Sequence, residues 1–393
     1  MDHLSRFSAI HSLLHSHQSY WRESPFCIPA PAWLQQSPDL ALAMQALSTS
    51  DLAEMEADPA RLQQHIARFL PALQCLPELL HLPAATMITE LPTRWSTDVP
   101  GRKWAQISAF AAHVPASSLT LVDWCAGKSH LGRTIAALHQ RPLRAIERDA
   151  TLCREGTQMA ATQQLHAQFV CADVLQEQPP LHADDQVLAL HACGDLHRVL
   201  LRHWRQSRSP QLVLAPCCYH LWLKGDYQPL SQQAQQMNLQ LNKNQVQLAI
   251  QETVTSSARV RQQVDQLAQW RLAFDVWQRE ARGIDEYLNT PSLPLSVLPL
   301  GIEEVFKRFA TRHQLSLPHD LDFASYQRRG QQRFAEAKRL QLVRQAFRRA
   351  LELYLVLDLA LYLEEANCQV QLKTFCQRAV TPRNLLLIVE RNE

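Results

Sequence analysis

Glycine is scarce in this chain, nine residues in 393, against a usual share of roughly 7%. That scarcity argues against collagen-like repeats, propellers and β-solenoids. Charge of one sign is lacking too: 39 Lys and Arg stand against 37 Asp and Glu, a formal +2. No global basic field therefore argues for nucleic acid, and any such case must be local. Long apolar runs are absent. The strongest, Leu351 to Leu363, contains Glu352 and Asp358 and falls short of the roughly 20 residues a membrane span needs. At the start, Leu4, Phe7, Ile10, Leu13 and Leu14 recur at helical spacing among four histidines, which reads as an amphipathic helix rather than a secretory leader. The ten cysteines show no CxxC spacing and are expected to be reduced thiols. A soluble, cytoplasmic protein without membrane association is the expectation.

What is present is ample core material, 46% apolar residues, in a chain longer than one average domain of roughly 150 residues. Residues 1–95 carry helical patterns broken by nine prolines and are expected to form a helical N-terminal region. From Leu119 the periodicity changes. Short apolar strands are expected at Leu119–Trp124, Leu143–Ile146, Gln168–Cys171, Gln186–Leu190 and Gln211–Ala215, with helical patterns between them. Such alternation argues for right-handed βαβ units and a parallel sheet. The resulting division is a core at 96–230, a helical insertion at 231–365, and a closing hairpin at 366–393, formed by Val370–Phe375 and Leu385–Val389, that completes the core.

The first strand runs into Asp123-Trp124-Cys125-Ala126-Gly127-Lys128-Ser129. The Gly-Lys-Ser does not make a phosphate loop, because the first glycine of that motif would fall at Val122. A dinucleotide loop fails as well, since it needs glycine at Cys125. An acidic residue followed by a loose glycine turn suits a cofactor with a cationic amino-acid end, such as S-adenosylmethionine; a plain structural turn is the bland alternative. Glu147 ends the second strand about 20 residues after the loop, where a carboxylate can accept hydrogen bonds from both ribose hydroxyls. Asp173 and Val174 follow the third strand, where a side-chain oxygen can meet an adenine amino group or merely cap a helix. His191, Cys193 and Asp195 after the fourth strand, with Cys217, Cys218 and Tyr219 after the fifth, share the carboxyl edge of a parallel sheet.

With these motifs in order, the chain resembles the class I S-adenosylmethionine-dependent methyltransferases. More narrowly, it resembles the methyltransferase domain of glutathione S-transferase C-terminal-domain-containing proteins. The resemblance rests on Asp123-Trp-Cys125-Ala-Gly127, His191-Ala-Cys-Gly194, Pro216-Cys-Cys-Tyr219 and Pro382-Arg-Asn384, and covers somewhat over a third of the chain. Ser129 stands where a third glycine is usual. A looser similarity, His-x-Cys-Gly followed by Cys-Cys, reaches the tRNA 2′-O-methyltransferases of eukaryotes. The resemblance implies an α/β, Rossmann-like seven-stranded methyltransferase sheet, with a helical N-terminal region and a helical insertion before the last hairpin. It also implies a methyltransferase using S-adenosyl-L-methionine, with RNA modification as the first expectation and protein methylation or a non-catalytic adaptor as alternatives. Asp123, Cys125, Gly127, Glu147, Asp173, Val174 and His191 are the expected cofactor contacts. Asp195, Cys217, Cys218 and Tyr219 are expected on the acceptor side, Asp195 as the base with His191 second.

The cysteines allow two further chemistries. A thiolate from Cys193, Cys217 or Cys218 would suit covalent attack on a pyrimidine. A metal could draw on the same cysteines with His191 and His220, but adjacent Cys217 and Cys218 should project to opposite faces of an extended segment, so no metal is expected. The other six cysteines are taken as structural. A basic excess from Lys307 to Arg349, including Arg328, Arg329, Arg333, Lys338, Arg339 and Arg344, could neutralise RNA phosphates or simply form a solvated helix face. Trp204, Trp222, Trp270 and Trp277 could stack on bases, although such tryptophans are more often core.

Overall fold

The computed structural model describes residues 1–84, 91–97, 99–252 and 257–392; parts of the expected N-terminal region (85–90), core (98), insertion (253–256) and hairpin (393) lie outside them. Seven strands form one sheet: β1 Thr120–Trp124, β2 Leu143–Glu147, β3 Ala167–Cys171, β4 Asp185–Ala189, β5 Gln211–Leu214, β6 Cys368–Thr374 and β7 Leu385–Arg391. Their order is β3-β2-β1-β4-β5-β7-β6. The first five pair in parallel, while β7 runs antiparallel to both β5 and β6. The fold class is therefore the expected Rossmann-like α/β sheet closed by a C-terminal hairpin.

Burial explains the strand sequences. β4 is buried throughout and β1 nearly so, so they read as near-continuous runs rather than alternations, as strands covered on both faces do. β6 lies at the edge and alternates, with Cys368, Val370 and Leu372 buried and Gln369 and Gln371 exposed. The chain lays β2 and β3 on one side of β1, then crosses to place β4 on the other. The loops after β1 and β4 consequently diverge, which opens a crevice at the carboxyl edge.

The chain divides into two compact units. One comprises residues 1–12, 78–252 and 349–393 and contains the sheet; the other comprises 13–77 and 253–348. These boundaries correct the expected ones at both ends. Residues 1–12 belong with the sheet because Phe7 stacks on Tyr354 at 4.7 Å and His3 Nδ1 bonds Glu364 at 2.7 Å. The helix Arg348–Glu364, which lies wholly within the expected insertion, belongs from Arg349 onward to the same unit. Its Asp358 is fully buried and accepts from Tyr227 Oη at 2.6 Å, Leu230 N at 2.9 Å, and Ser231 N and Oγ at 2.8 Å.

The helical unit has its own aromatic core, with Phe274 packed against Trp277, Phe306 and Phe309. Trp270 and Trp277 are buried there, and Trp204 is buried in the sheet unit; of the four candidate stacking tryptophans only Trp222 is exposed, at 45%. Much of the basic excess is likewise engaged internally. Arg344 is buried and donates to the Trp21 carbonyl at 2.7 Å, Arg339 to that of Leu47 at 2.9 Å, and Arg333 to that of Pro25. Lys338 pairs with Asp265, and Arg329 with Glu280. The expected basic face for RNA is thus reduced to scattered exposed residues such as Lys307, Arg312 and Arg328.

Replacing Asp358 with alanine should strand several buried donors and destabilise the protein by about 3 kcal/mol. Urea denaturation followed by circular dichroism measures this; an unchanged midpoint would show that the cluster is not a structural anchor.

Candidate functional site

The turn after β1 is built on a buried carboxylate. Asp123 is 3% exposed, and its Oδ2 accepts from Ser129 Oγ at 2.7 Å and from Gly132 N at 3.0 Å. Burial pushes its pKa up to about 6, against the lowering effect of those two hydrogen bonds. Ser129, in place of the usual glycine, is fully buried with a positive φ of 53° and supplies one of the two donors. Gly132, in the first turn of the helix His130–His139, lies directly against this knot. A Cβ there would sit 2.5 Å from Ser129 Oγ and 2.9 Å from Asp123 Cβ, so only glycine lets the helix approach. Asp123 was expected as a direct cofactor contact; its position is a correction, because the carboxylate is consumed in shaping the loop.

Glu147 performs the bridging task. Its Oε2 accepts from Gly127 N and its Oε1 from Asp149 N, both at 2.9 Å. One side chain therefore ties the turn after β1 to the turn after β2, where Asp149 caps the helix Ala150–Thr162. Asp173 Oδ1 accepts from Leu175 N at 3.0 Å, which orders the turn after β3. These turns surround a small crevice of about 110 Å³. Its walls are Cys125, Ile146, Glu147 and Arg148 on one side, Ala172, Asp173 and Val174 on another, and Leu196 and Trp222 opposite. Cys125, Glu147, Asp173 and Val174 thus share one crevice, and Gly127 is tied to it through Glu147. A Cβ at Gly127 would meet nothing within 4 Å, so this turn is an open cradle. The Cys125 thiol is pushed up to about 12 by burial and then by Glu147; it is a wall, not a nucleophile.

Arg148 and Leu196 were missed as site residues, and Trp222 was named only among the tryptophans able to stack on bases. Arg148 Cζ lies 5.3 Å from the Trp222 ring centroid, a cation–π pair at the crevice. Only the strand-end position of Arg148 could have flagged it; Leu196 and Trp222 carry no motif.

The expected acceptor residues do not share one surface. Asp195 opens the helix Asp195–Gln206 and pairs with Arg198 Nε at 3.0 Å. Tyr219 is 2% exposed, and its hydroxyl donates to Glu352 Oε1 and to the Pro216 carbonyl, each at 3.3 Å. Burial and then Glu352 hold that phenol protonated. Tyr219 is a core residue, which corrects its catalytic assignment. His191 is exposed in the loop after β4 and does not line the crevice.

The cysteines do converge. Cys193 pairs with Cys217 in an isolated parallel bridge, and their sulfurs lie 3.3 Å apart. Cys218 has a φ of +47°, which breaks the alternation expected of an extended segment. The thiols of Cys193, Cys217 and Cys218 consequently lie within 4.8 Å of one another, and the expectation that Cys217 and Cys218 point apart is corrected. Hydrogen bonds from Cys193 and Cys217, aided by Arg383, pull the Cys218 thiol well below its ordinary value. Cys217 is held above it, first by its hydrogen bond with Cys193 and also by burial, so it is poorly suited to attack an external acceptor.

Residues 102–224 match the family model described as "Methyltransferase domain". No curated protein matches the chain. Similar solved structures include StiE O-MT residues 961–1257, at 12% identity and a TM-score of 0.26, covering 34% of this chain and 55% of that one. TYW2 of M. jannaschii in complex with AdoMet aligns at 15% identity and a TM-score of 0.26, over 34% of this chain and 63% of that one. An RNA methyltransferase from Salinibacter ruber, in complex with S-adenosyl-L-homocysteine, aligns at 16% identity and a TM-score of 0.24, over 33% and 86%. The chain therefore spans 55% and 63% of the first two structures. Residues 102–224 are thus similar to a methyltransferase domain.

Because the carboxyl of Asp123 titrates near 6 when folded and near 3.9 when unfolded, the native state binds the extra proton between those values. This side chain should therefore cost stability progressively as pH rises from about 4 to 6, by about 3 kcal/mol in all, with no further change above. Urea midpoints across that range should show the dependence in the wild type and a flatter curve in Asp123→Asn. Parallel curves would refute the assignment.

Proposed function

We propose that this protein transfers the methyl group of S-adenosylmethionine directly, in line, to an RNA acceptor. The observation that carries the methyltransferase part is the crevice at the ends of β1, β2 and β3, where Glu147 joins the two turns inside the segment that matches the methyltransferase family. The donor set suits the cofactor. Gly127 leaves backbone room, Glu147 and Asp173 offer carboxylate oxygens to hydroxyl and amino groups, and Ile146, Val174 and Leu196 supply an apolar wall. When bound, S-adenosylmethionine supplies an electrophilic methyl carbon on a sulfonium. The chain's own contribution is to hold and orient that end and to exclude water from it.

RNA is favoured by the exposed Trp222 and its Arg148 partner, which give a nucleobase a stacking surface and a cation beside it. The narrower kinship with the methyltransferase domain of glutathione S-transferase C-terminal-domain-containing proteins belongs to this same reading. So does a reducing, cytoplasmic setting, which suits ten free cysteines. Among the described residues no helix is long and apolar enough to cross a membrane. A second reading, a cofactor-binding adaptor without turnover, is favoured by the engagement of Asp195 with Arg198 and of Tyr219 with Glu352. On the catalytic reading the remaining candidate base on this edge is His191.

Calorimetric titration with S-adenosylhomocysteine should give micromolar binding, weakened at least about tenfold (~1.4 kcal/mol) in Glu147→Ala. Labelled methyl donor should then mark RNA from a cell extract, with the signal lowered in Trp222→Ala. No binding by the wild type would sink the methyltransferase reading. Binding with label only in protein would replace the acceptor, and binding without any transfer would favour the adaptor.

A further inference from the structure

Two loops of the sheet unit are shaped around three sulfurs. The loop after β4 is held to the loop after β5 by the bridge between Cys193 and Cys217, and by Gly194 N donating to the Cys217 carbonyl at 3.0 Å. Gly194 has a φ of +58°, and a Cβ there would lie 2.0 Å from the Leu221 carbonyl oxygen, so the two backbones close as only glycine permits. Cys218 takes a left-handed conformation without being glycine, a strained backbone that the surrounding structure must hold in place. Hydrogen bonds from Leu221 N to the Cys218 carbonyl and from Asp195 N to the Leu221 carbonyl hold it there. What this backbone achieves is to turn two successive thiols toward one point beside a third.

We propose that Cys193, Cys217 and Cys218 bind a single thiophilic divalent cation, zinc, as a three-thiolate site with an open fourth position. The spacing fits a mononuclear site. Zinc–sulfur bonds of about 2.3 Å place the thiolates of a tetrahedral ion about 3.8 Å apart, and these sulfurs lie within 4.8 Å, one pair at 3.3 Å. Small side-chain adjustments bring all three to that separation. Cysteine sulfur matches a borderline-soft cation better than a hard one such as magnesium. Among the described residues no histidine, aspartate or glutamate donor joins the group, so the fourth position is left to a solvent molecule or an added ligand. Cys193 and Cys218 are partly exposed while Cys217 is buried, giving the ion a route in and a fixed inner ligand. The sequence offers these cysteines as donors but lacks a CxxC signature, and the adjacency of Cys217 and Cys218 argued against a shared ion until the left-handed turn at Cys218 brought the sulfurs together. The inference does not depend on methyl transfer or on RNA as the acceptor.

The full chain, purified with reductant, should be loaded with zinc sulfate, desalted, and analysed for metal by mass spectrometry. About one equivalent should remain, and Cys193→Ser, Cys217→Ser and Cys218→Ser should each retain at most about a fifth of that, while Cys75→Ser keeps it. Cobalt(II) in place of zinc should give thiolate charge-transfer absorption and the visible bands of a tetrahedral ion in the wild type, a readout that does not depend on any variant folding. S-adenosylhomocysteine titration and circular dichroism report on the fold of each variant separately. Failure of the wild type to retain metal or to show the cobalt spectrum would overturn the proposal. So would equal retention in the three folded variants, or a Cys193–Cys217 disulfide that forms in place of metal binding.

Discussion

The carboxylate of Asp123, taken out of water at the end of β1, is the constraint on which the carboxyl edge of the sheet depends. A buried carboxylate must find donors, and it finds them in Ser129 and in the first turn of the following helix. Meeting that demand fixes the path of the intervening residues, including the Cys125 wall and the open turn at Gly127. Glu147 reaches that turn only because its backbone is already in place. The crevice is therefore preorganised by an internal electrostatic requirement rather than by a bound ligand.

A division of labour among the acidic residues follows. Asp123 is inward and structural, Glu147 is at the boundary and bridges two turns, and Asp173 orders the third turn while lining the crevice. Asp358 plays the structural part again in the helix Arg348–Glu364, where it organises the segment after the last parallel strand by accepting from Tyr227, Leu230 and Ser231. In both places an isolated carboxylate within an apolar stretch marks a junction between elements.

The thiols after β4 and β5 follow a different logic. Their convergence needs a positive φ at Cys218 and a glycine at 194 that tolerates contact with Leu221. Local strain of this kind gathers where a site is assembled, and here it gathers sulfur. This part of the carboxyl edge consequently differs from the crevice after β1, β2 and β3: the crevice is made of carboxylates and backbone amides, the loops after β4 and β5 of thiols near Arg383.

Strand positions and their parallel alternation were legible in the chain because strands buried on both faces are apolar, short and punctuated. The positions that line the crevice were legible for a related reason: in a parallel sheet every strand end faces the same edge, so Glu147, Asp173 and Val174 need only their register. What the sequence could not show was which of these side chains turn inward and which partners they find. Asp123 and Tyr219 read as site residues until burial and the donors and acceptors around them placed them in the core. The basic run from Lys307 to Arg349 read as a surface until carbonyls and carboxylates distant in sequence engaged Arg333, Lys338, Arg339 and Arg344. Periodicity is a property of neighbours along the chain and determines elements and edges by itself. Pairing across loops, and the left-handed turn that brings Cys218 to Cys193, arise from contacts between segments brought together by folding, and only the tertiary structure decides those.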